Sequence, residues 1–392
     1  MTLQLLVTDR NLNVLGDPIT GWTKLSVDLN FNAPASGSVT LPARPEVMAL
    51  LQPGKRLVVI RDQEIWCAGP LEEPQNYTWD LAANSGTGMV VANFTDDLAR
   101  VAGYRTYPAP ASAFEDQITP VDQTYGLVDF NAEVIIRQLV DVNCGPGALT
   151  ARRIQRLVLD DVAGVGSTTT VRTRFEPLLD ACRTVAATDG LGFRTRQVGD
   201  EIRFGVYAPA DRTDTARFSA GLGNLRSVSF TLAAPLATSE LVMGGLDPSE
   251  AASPPHTRVY REVVSSAAVA DWYRVEKFID MTGTEDDSKG ELTQAGVAAA
   301  ADDRPQASLA TVTVDTEDLK AGRDYTLGDR VTVVLPTGRQ ITDIVQAIRL
   351  DATPDGGEVV TTVIGNSDKT TNSATVRLIR DLARRLGRLE AR

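Results

Sequence analysis

The sequence predicts a mainly β protein with α+β insertions: two related antiparallel β-barrels, two smaller domains and a C-terminal helix. Three observations lead there, and an internal repeat is the first. Ser26-Val27-Asp28-Leu29-Asn30-Phe31-Asn32-Ala33-Pro34 is answered by Ser227-Val228-Ser229-Phe230-Thr231-Leu232-Ala233-Ala234-Pro235. Gly54-Lys55-Arg56-Leu57-Val58-Val59-Ile60 is answered by Gly328-Asp329-Arg330-Val331-Thr332-Val333-Val334. The first piece is displaced by 201 residues (26 to 227) and the second by 274 (54 to 328), so the second copy holds 73 more residues between its pieces. One small barrel duplicated, with an insertion in the second copy, has this signature. Chance likeness of two amphipathic strands is the plainer alternative, because alternation is common. The second observation is that alternation itself, which marks strands through residues 3–79. The third is that helical spacing is confined to the middle and the end of the chain. Two like barrels per chain let three chains form a ring with six-fold-like symmetry.

Taken in order, residues 3–79 carry turn signals at Asn11, Gly16-Asp17-Pro18, Ala35-Ser36-Gly37 and Pro53-Gly54, as an antiparallel barrel requires. Residues 94–98 open a different segment that runs into a Pro/Ala/Ser loop ending near residue 112. In residues 131–142 the apolar Ala132, Ile135, Ile136, Leu139 and Val140 fall on one helical face, with Asn131 as N-cap and Gly145-Pro146 as terminator. A second helix has Pro177 in its first turn, Leu178, Leu179, Cys182, Val185 and Ala186 on one face, and Gly190 closing it. Cys182 therefore belongs in a core as a small hydrophobe. Residues 193–207 alternate as a hairpin turning at Gly199-Asp200. The insertion holds Pro254-Pro255, a mixed stretch at 272–279, an acidic loop and an alanine-rich run at 295–303 that reads as one short helix. After a polar linker, Ile379, Leu382, Leu386 and Leu389 follow spacings of three, four and three, a heptad seam. Arg377, Arg380, Arg384, Arg385, Arg388 and Arg392 outnumber Asp381 and Glu390 around that seam. It reads as a basic helix for docking or self-association, or as one packed on its own body. The resulting division is 1–90 first barrel, 91–222 middle domain, 223–243 with 306–366 second barrel, 244–305 inserted domain and 367–392 linker and helix.

Composition bounds the function. At 392 residues, 43% hydrophobic and 23% charged, the chain is long enough for several ordinary cores. No apolar run reaches the roughly 20 residues of a membrane helix, and the first residues read as a strand and not as a signal peptide. Three widely spaced cysteines exclude a disulfide framework and a cysteine-ligated zinc, which fits a protein folded in cytoplasm. With 39 Lys and Arg against 51 Asp and Glu, the net charge is −12. Tight binding to nucleic acid needs clustered cations, so this balance disfavours adhesion to DNA while permitting its passage.

Chemistry is sparse. The sole histidine, His256, follows Pro254-Pro255 without a triad or metal partner pattern. The acidic pairs Asp96-Asp97 and Asp160-Asp161 and the run Glu285-Asp286-Asp287 are adjacent residues, which do not hold two carboxylates across a cleft; solvated turns or helix caps explain them better. The acidic loop around Asp286 lacks the EF-hand order of calcium ligands. Gly221-Leu222-Gly223-Asn224 has no downstream lysine for a phosphate loop. No catalytic, cofactor or metal residue is expected.

A set of landmarks in fixed order resembles a known family. They are Phe94-Thr95-Asp96-Asp97-Leu98 through Arg105 and Pro108, then Ala132-Glu133-Val134-Ile135 through Asn143, Gly145-Pro146 and Ala148, then residues 175–179. Gly190-Leu191-Gly192-Phe193, Asp211-Arg212, Phe218-Ser219, Gly223-Asn224-Leu225 and Leu327-Gly328-Asp329-Arg330-Val331 complete it. Across residues 20–366 the chain is similar to the baseplate or tail-tip hub proteins of siphovirus-type phage tails, themselves similar in fold to hubs of contractile tails. The resemblance implies tube-like barrels and a homotrimer at the virion tail tip. It also implies contacts with a distal tail protein or the tail tube, with the tape measure protein and with receptor-binding tip proteins, and DNA passing through a channel. The rival readings are the hub of a contractile injection particle and a carbohydrate-binding or wall-hydrolysing tip protein. The barrel landmarks to follow are Ala33, Pro34, Gly54 and Arg56 with Ala234, Pro235, Gly328 and Arg330. The helix seam to follow is Ile379, Leu382, Leu386 and Leu389.

Overall fold

The computed structural model describes residues 3–72, 76–80, 86, 88–117, 123–232, 234–246, 258–281, 290–304, 307–313 and 315–365. In the first half, strands β1 (Leu3–Thr8), β2 (Val14–Leu15), β3 (Lys24–Asn30) and β4 (Ala33–Pro42) are followed by a short helix α1 (Pro45–Leu50). Then come β5 (Arg56–Arg61), β6 (Glu64–Pro70), β7 (Asn76–Thr78) and β8 (Met89–Thr95). On β1 Leu5 and Val7 are fully buried on the inner face, as alternation predicts, whereas β5 is buried on both faces, with Leu57 and Val59 at 0% and Val58 at 2% exposure. These strands form the sheet β2-β1-β5-β6, while β3, β4, β8 and β7 pair antiparallel in that order in a second sheet. The two sheets share one core that includes Val27, Val39 and Phe94. Gly37 is required there, since a Cβ on it would lie 2.2 Å from the Phe94 ring.

The middle part runs α2 (Leu98–Ala102), β9 (Tyr125–Asn131), α3 (Ala132–Cys144), β10 (Leu157–Leu159) and β11 (Thr168–Thr173). It continues with α4 (Leu178–Asp189), β12 (Gly192–Val198) and β13 (Glu201–Tyr207). Both helices stand where the spacing places them. Asn131 accepts from the Glu133 N–H as N-cap, and the five predicted apolar residues of α3 are fully buried. Gly190 ends α4 at φ 65°, and Cys182 lies in the core. Pro177 is the N-cap of α4 and not a member of its first turn. The hairpin β12–β13 turns at Gly199-Asp200 with Gly199 at φ 59°.

The second half begins with β14 (Arg217–Ser219) and β15 (Leu225–Leu232). The chain then leaves for β16 (Ser239–Leu246), β17 (Arg258–Val264), α5 (Ser266–Asp271), β18 (Glu276–Asp280) and α6 (Gly290–Asp303). It returns as β19 (Ala307–Thr313), β20 (Arg330–Val334), β21 (Gln340–Thr353) and β22 (Gly357–Ile364). Helix α6 takes in the alanine-rich run. Strand β16 pairs with β17 and β18 in a sheet of its own, so the expected boundary at residue 243 falls inside that strand. The excursion instead starts after Leu232 and ends before Ala307. Val242, Val259 and Leu292 form its small core.

Pairing order repeats between the halves. Strand β15 pairs with β19, β19 with β22 and β20 with β21, as β3 pairs with β4, β4 with β8 and β5 with β6. The excursion occupies the place of the β3–β4 turn. Two relations differ: β14 runs parallel to β20, whereas β1 runs antiparallel to β5, and β21 pairs with β22 in a full antiparallel ladder, whereas β6 and β8 share no ladder. The halves are joined by β3 pairing with β21, which gives one ten-stranded sheet with the path β15-β19-β22-β21-β3-β4-β8-β7.

The fold is mainly β, as expected, but among the described residues no sheet closes into a barrel. Beside β8, the chain just after β6 makes the bridge Leu71↔Phe94 and a hydrogen bond from the Glu72 N–H to the Asn93 carbonyl (2.8 Å), not a ladder. In the second half, the 14-residue β21 pairs with β20 at one end and with β22 and β3 at the other, so its length goes into joining the halves.

Candidate functional site

Asp96 and Asp97 connect β8 to α2 and so join the first half to the middle part. Asp97 pairs with Arg56 from β5, both side chains 3% exposed, and lies 3.8 Å from Arg100. Arg56 also donates to Gln197 Oε1 on β12 (3.0 Å). A charge pair this buried holds only because each partner compensates the other. Asp96, beside it, has an Oδ1 shut off from water that accepts no hydrogen bond.

A second clamp starts at the β3–β4 turn, where Asn32 sits at φ 52°, a conformation asparagine tolerates. Its Nδ2 donates to the Leu191 carbonyl (2.9 Å) and its Oδ1 accepts from the Phe193 N–H (2.8 Å). Its own carbonyl accepts from Arg183 Nε (2.8 Å). A third clamp reaches the second half: Arg61 pairs with Asp315, with Glu358 (2.9 Å) and with the Ala321 carbonyl (3.1 Å), and its guanidinium lies 4.9 Å over the Trp66 ring. Between these clamps is a cavity of about 1000 Å³ lined by Arg61, Trp66, Asp96, Arg194, Lys320 and Leu327.

The seam between the halves has its own fixed charge. Arg349 on β21 is bidentate to Asp351 (2.5 and 2.9 Å), lies 3.3 Å from Asp28 on β3 and donates to Ser26 Oγ (2.7 Å). It sits on the polar face of β21, β3, β4 and β8, where Lys24, Asp28 and Asp351, with Glu72 from the chain after β6, line a groove of about 690 Å³. Small side chains, Ser26, Ser36 and Ser38, make up much of the rest.

The repeat landmarks divide by role. Gly54 at φ 77° and Gly328 at φ 85° make the same left-handed entrance to β5 and β20, and Gly328 has the Phe31 ring and Pro209 against it. The arginines have parted: Arg56 is buried in its ion pair, and Arg330 is exposed at the start of β20. Ala33 and Pro34 open β4, while Ala234 and Pro235 follow β15 and lead into the excursion. Ile379, Leu382, Leu386, Leu389, His256 and Asp286 lie outside the described residues. Among the described residues no group of three His, Cys, Asp or Glu side chains could hold a metal ion.

Sequence reasoning missed the junction. It treated Asp96-Asp97 as a solvated turn or cap, whereas Asp97 is buried and its side chain caps nothing. Asn32, Arg61 and Arg349 were not singled out; the alternation around Arg61 and Arg349, which sets each on a strand, was the only available signal.

The family model described as Siphovirus ReqiPepy6 Gp37-like protein matches residues 3–366. The chain belongs to that family. Solved structures share the fold of this Gp37-like chain over nearly its whole length. The 43 kDa tail protein of prophage MuSo2 from Shewanella oneidensis is 10% identical at a TM-score of 0.59, with 92% of this chain and 98% of that one covered. A tail protein from Neisseria meningitidis MC58 is 13% identical at 0.60, covering 94% and 97%. Prophage tail protein gp18 from Listeria monocytogenes EGD-e is 11% identical at 0.59, covering 97% and 99%. At these identities the likeness establishes a common fold. A search of curated proteins finds no match. No helix of the described residues is long and apolar enough to cross a membrane.

Proposed function

We propose that this chain is a structural hub of a siphovirus tail tip, three copies closing into a ring that joins the tail tube to the distal tip and surrounds the path of the DNA. The observation that carries this reading is the repeated pairing order within one open eight-strand path, with β15 and β7 at its ends. A twisted sheet whose two end strands have no further partner among the described residues, with an internal repeat, is suited to head-to-tail closure, which removes both edges. Three such paths give twenty-four strands. At about 4.8 Å per strand the wall is roughly 115 Å around and, even untilted, roughly 37 Å across, wide enough for a duplex.

In this reading the polar face at the β3–β21 seam turns toward the axis. Its charges are mixed, two cations against three anions, so the wall attracts phosphates weakly and DNA slides. The two halves form the wall, while the middle part and the excursion stand outside it and meet other tail proteins: the tube or distal tail protein above, the tape measure protein, and receptor-binding tip proteins. Residues 375–392, with Ile379, Leu382, Leu386 and Leu389 as an apolar seam, dock on another copy or on a tail protein away from the DNA. Function rests on shape and symmetry and not on catalysis. Membership in a siphovirus family favours this hub over that of a contractile particle.

Pairing one cysteine at Thr78→Cys with a scan of single cysteines over residues 226–230 tests the closure. Oxidation should yield a covalent three-chain species at alternate scan positions. Cross-links confined to single chains, or a ladder that runs past three, contradict the ring.

A further inference from the structure

Asp96 stands where three elements meet. Its own N–H donates to the Ala35 carbonyl on β4 (3.3 Å), and the β6 backbone is so close that a Cβ on Gly69 would lie 2.6 Å from the Asp96 Cα. The next residue, Asp97, fixes this crossing to β12 through Arg56 and Gln197. The residue as a whole is only partly buried, yet Oδ1 is closed to water and accepts no hydrogen bond, on the wall of the 1000 Å³ cavity. A buried carboxyl with an unpartnered oxygen is stable when neutral and costly when charged.

Most of the charged groups around it are engaged elsewhere. On its own turn Asp97 is an anion, and Arg100 is turned to Asp97. On β5, Arg56 is held by Asp97 and Arg61 by Asp315 and Glu358. On β6 the groups are Cys67 and Glu64, and β4 carries no titratable side chain. Across the cavity, Arg194 stacks on Tyr207, Arg196 pairs with Asp160 and Arg323 with Asp324, with Lys320 and Asp62 completing the wall. Among the described residues no ion pair reaches Asp96.

We propose that Asp96 is a proton-operated latch: neutral, it seals the crossing between the first half and the middle part; ionised, it draws water from the cavity into the crossing and loosens the two parts. The proton goes to solvent, and no bond other than O–H is broken. Burial pushes this carboxyl up to about 7, the Asp97 charge adding to the effect and the backbone N–H groups of Ala35, Ala99 and Leu98 opposing it. The switch therefore operates around neutral pH.

Hydrogen exchange on the full chain from about pH 6 to about pH 8, corrected for intrinsic chemistry, reads the latch at residues 96–100 and 192–198. Wild-type protection should fall by up to roughly tenfold per pH unit as the pH approaches the titration from below and level off above it, and Asp96→Asn should show no such loss. An equal pH dependence in the two proteins overturns the proposal. So does a carbon-13 titration of the wild-type Asp96 carboxyl near the ordinary aspartate value of about 3.9, a measurement that needs no variant. Neither readout depends on the ring.

Discussion

Removing one partner of the Arg56–Asp97 pair is the sharpest test of how the first half is tied to the middle part. Asp97→Ala leaves Arg56, its side chain 3% exposed, with only Gln197 (3.0 Å) and a long contact to Thr8 Oγ1 (3.4 Å), and deprives Arg100 of its nearby anion. A guanidinium stranded in this way costs about 3–5 kcal/mol. At about 2–4 °C per kcal/mol for a unit of this size, the affected transition should fall by on the order of 10 °C. Differential scanning calorimetry is the assay, with transitions resolved separately, because a chain with several cores is not expected to unfold in one step. The apolar double variant Arg56→Met with Asp97→Leu should recover most of the loss, since it strands no charge. A single variant within about 1 kcal/mol of wild type, or a double variant as damaged as the single, would refute the reasoning.

Asn32→Gly keeps the left-handed turn but loses two side-chain hydrogen bonds to Leu191 and Phe193, so it should cost about 1–3 kcal/mol; Asn32→Ala should cost more, the excess being backbone strain, both read from chemical denaturation. Gly37→Ala drives a methyl into Phe94 and should destabilise by at least about 1–3 kcal/mol, partly relieved by Phe94→Leu; full stability of the single variant would show that the sheet can yield there. For pH, the raised Asp96 pKa means the folded state binds its proton more tightly than the unfolded state between about 3.8 and about 7. The contribution is therefore fully present below that window and lost as pH rises through it, about 4 kcal/mol at the limit. The difference in denaturation midpoint between wild type and Asp96→Asn across the window should carry that sign. Leu382→Asp with Leu386→Asp should weaken tip assembly while leaving the sheets folded, and tips that assemble normally would remove the docking role of that segment.

The local grammar of the chain was readable. Helix α3 announced itself because Ala132, Ile135, Ile136, Leu139 and Val140 can share a face only at helical spacing, and Asn131 and Gly145 bound it. The β12–β13 turn was visible in Gly199-Asp200 for the same local reason. Gly54 and Gly328, matched in the repeat read from the sequence, both take a left-handed backbone two residues before a strand. What stayed hidden depends on distance along the chain. Asn32 acts on residues about 160 positions away, and Arg61 on partners more than 250 away. Nothing next to Asp97 shows that Arg56 will come to it, so an acidic pair looks like a solvated turn. Strand β16 looked like a member of the second barrel because its alternation is the same in any sheet. Closure was over-read for a related reason: alternation specifies a half-buried strand and not what lies beyond the last edge.

Electron cryomicroscopy of a tail tip carrying this chain shows whether its sheet edges close into a three-chain ring. Three copies should surround the axis, with β15 of each hydrogen-bonded to β7 of the next in one continuous wall whose axial face carries Arg349, Asp28 and Asp351. Six copies, a single copy, or three copies meeting through the excursion with their sheet edges left open would contradict this closure.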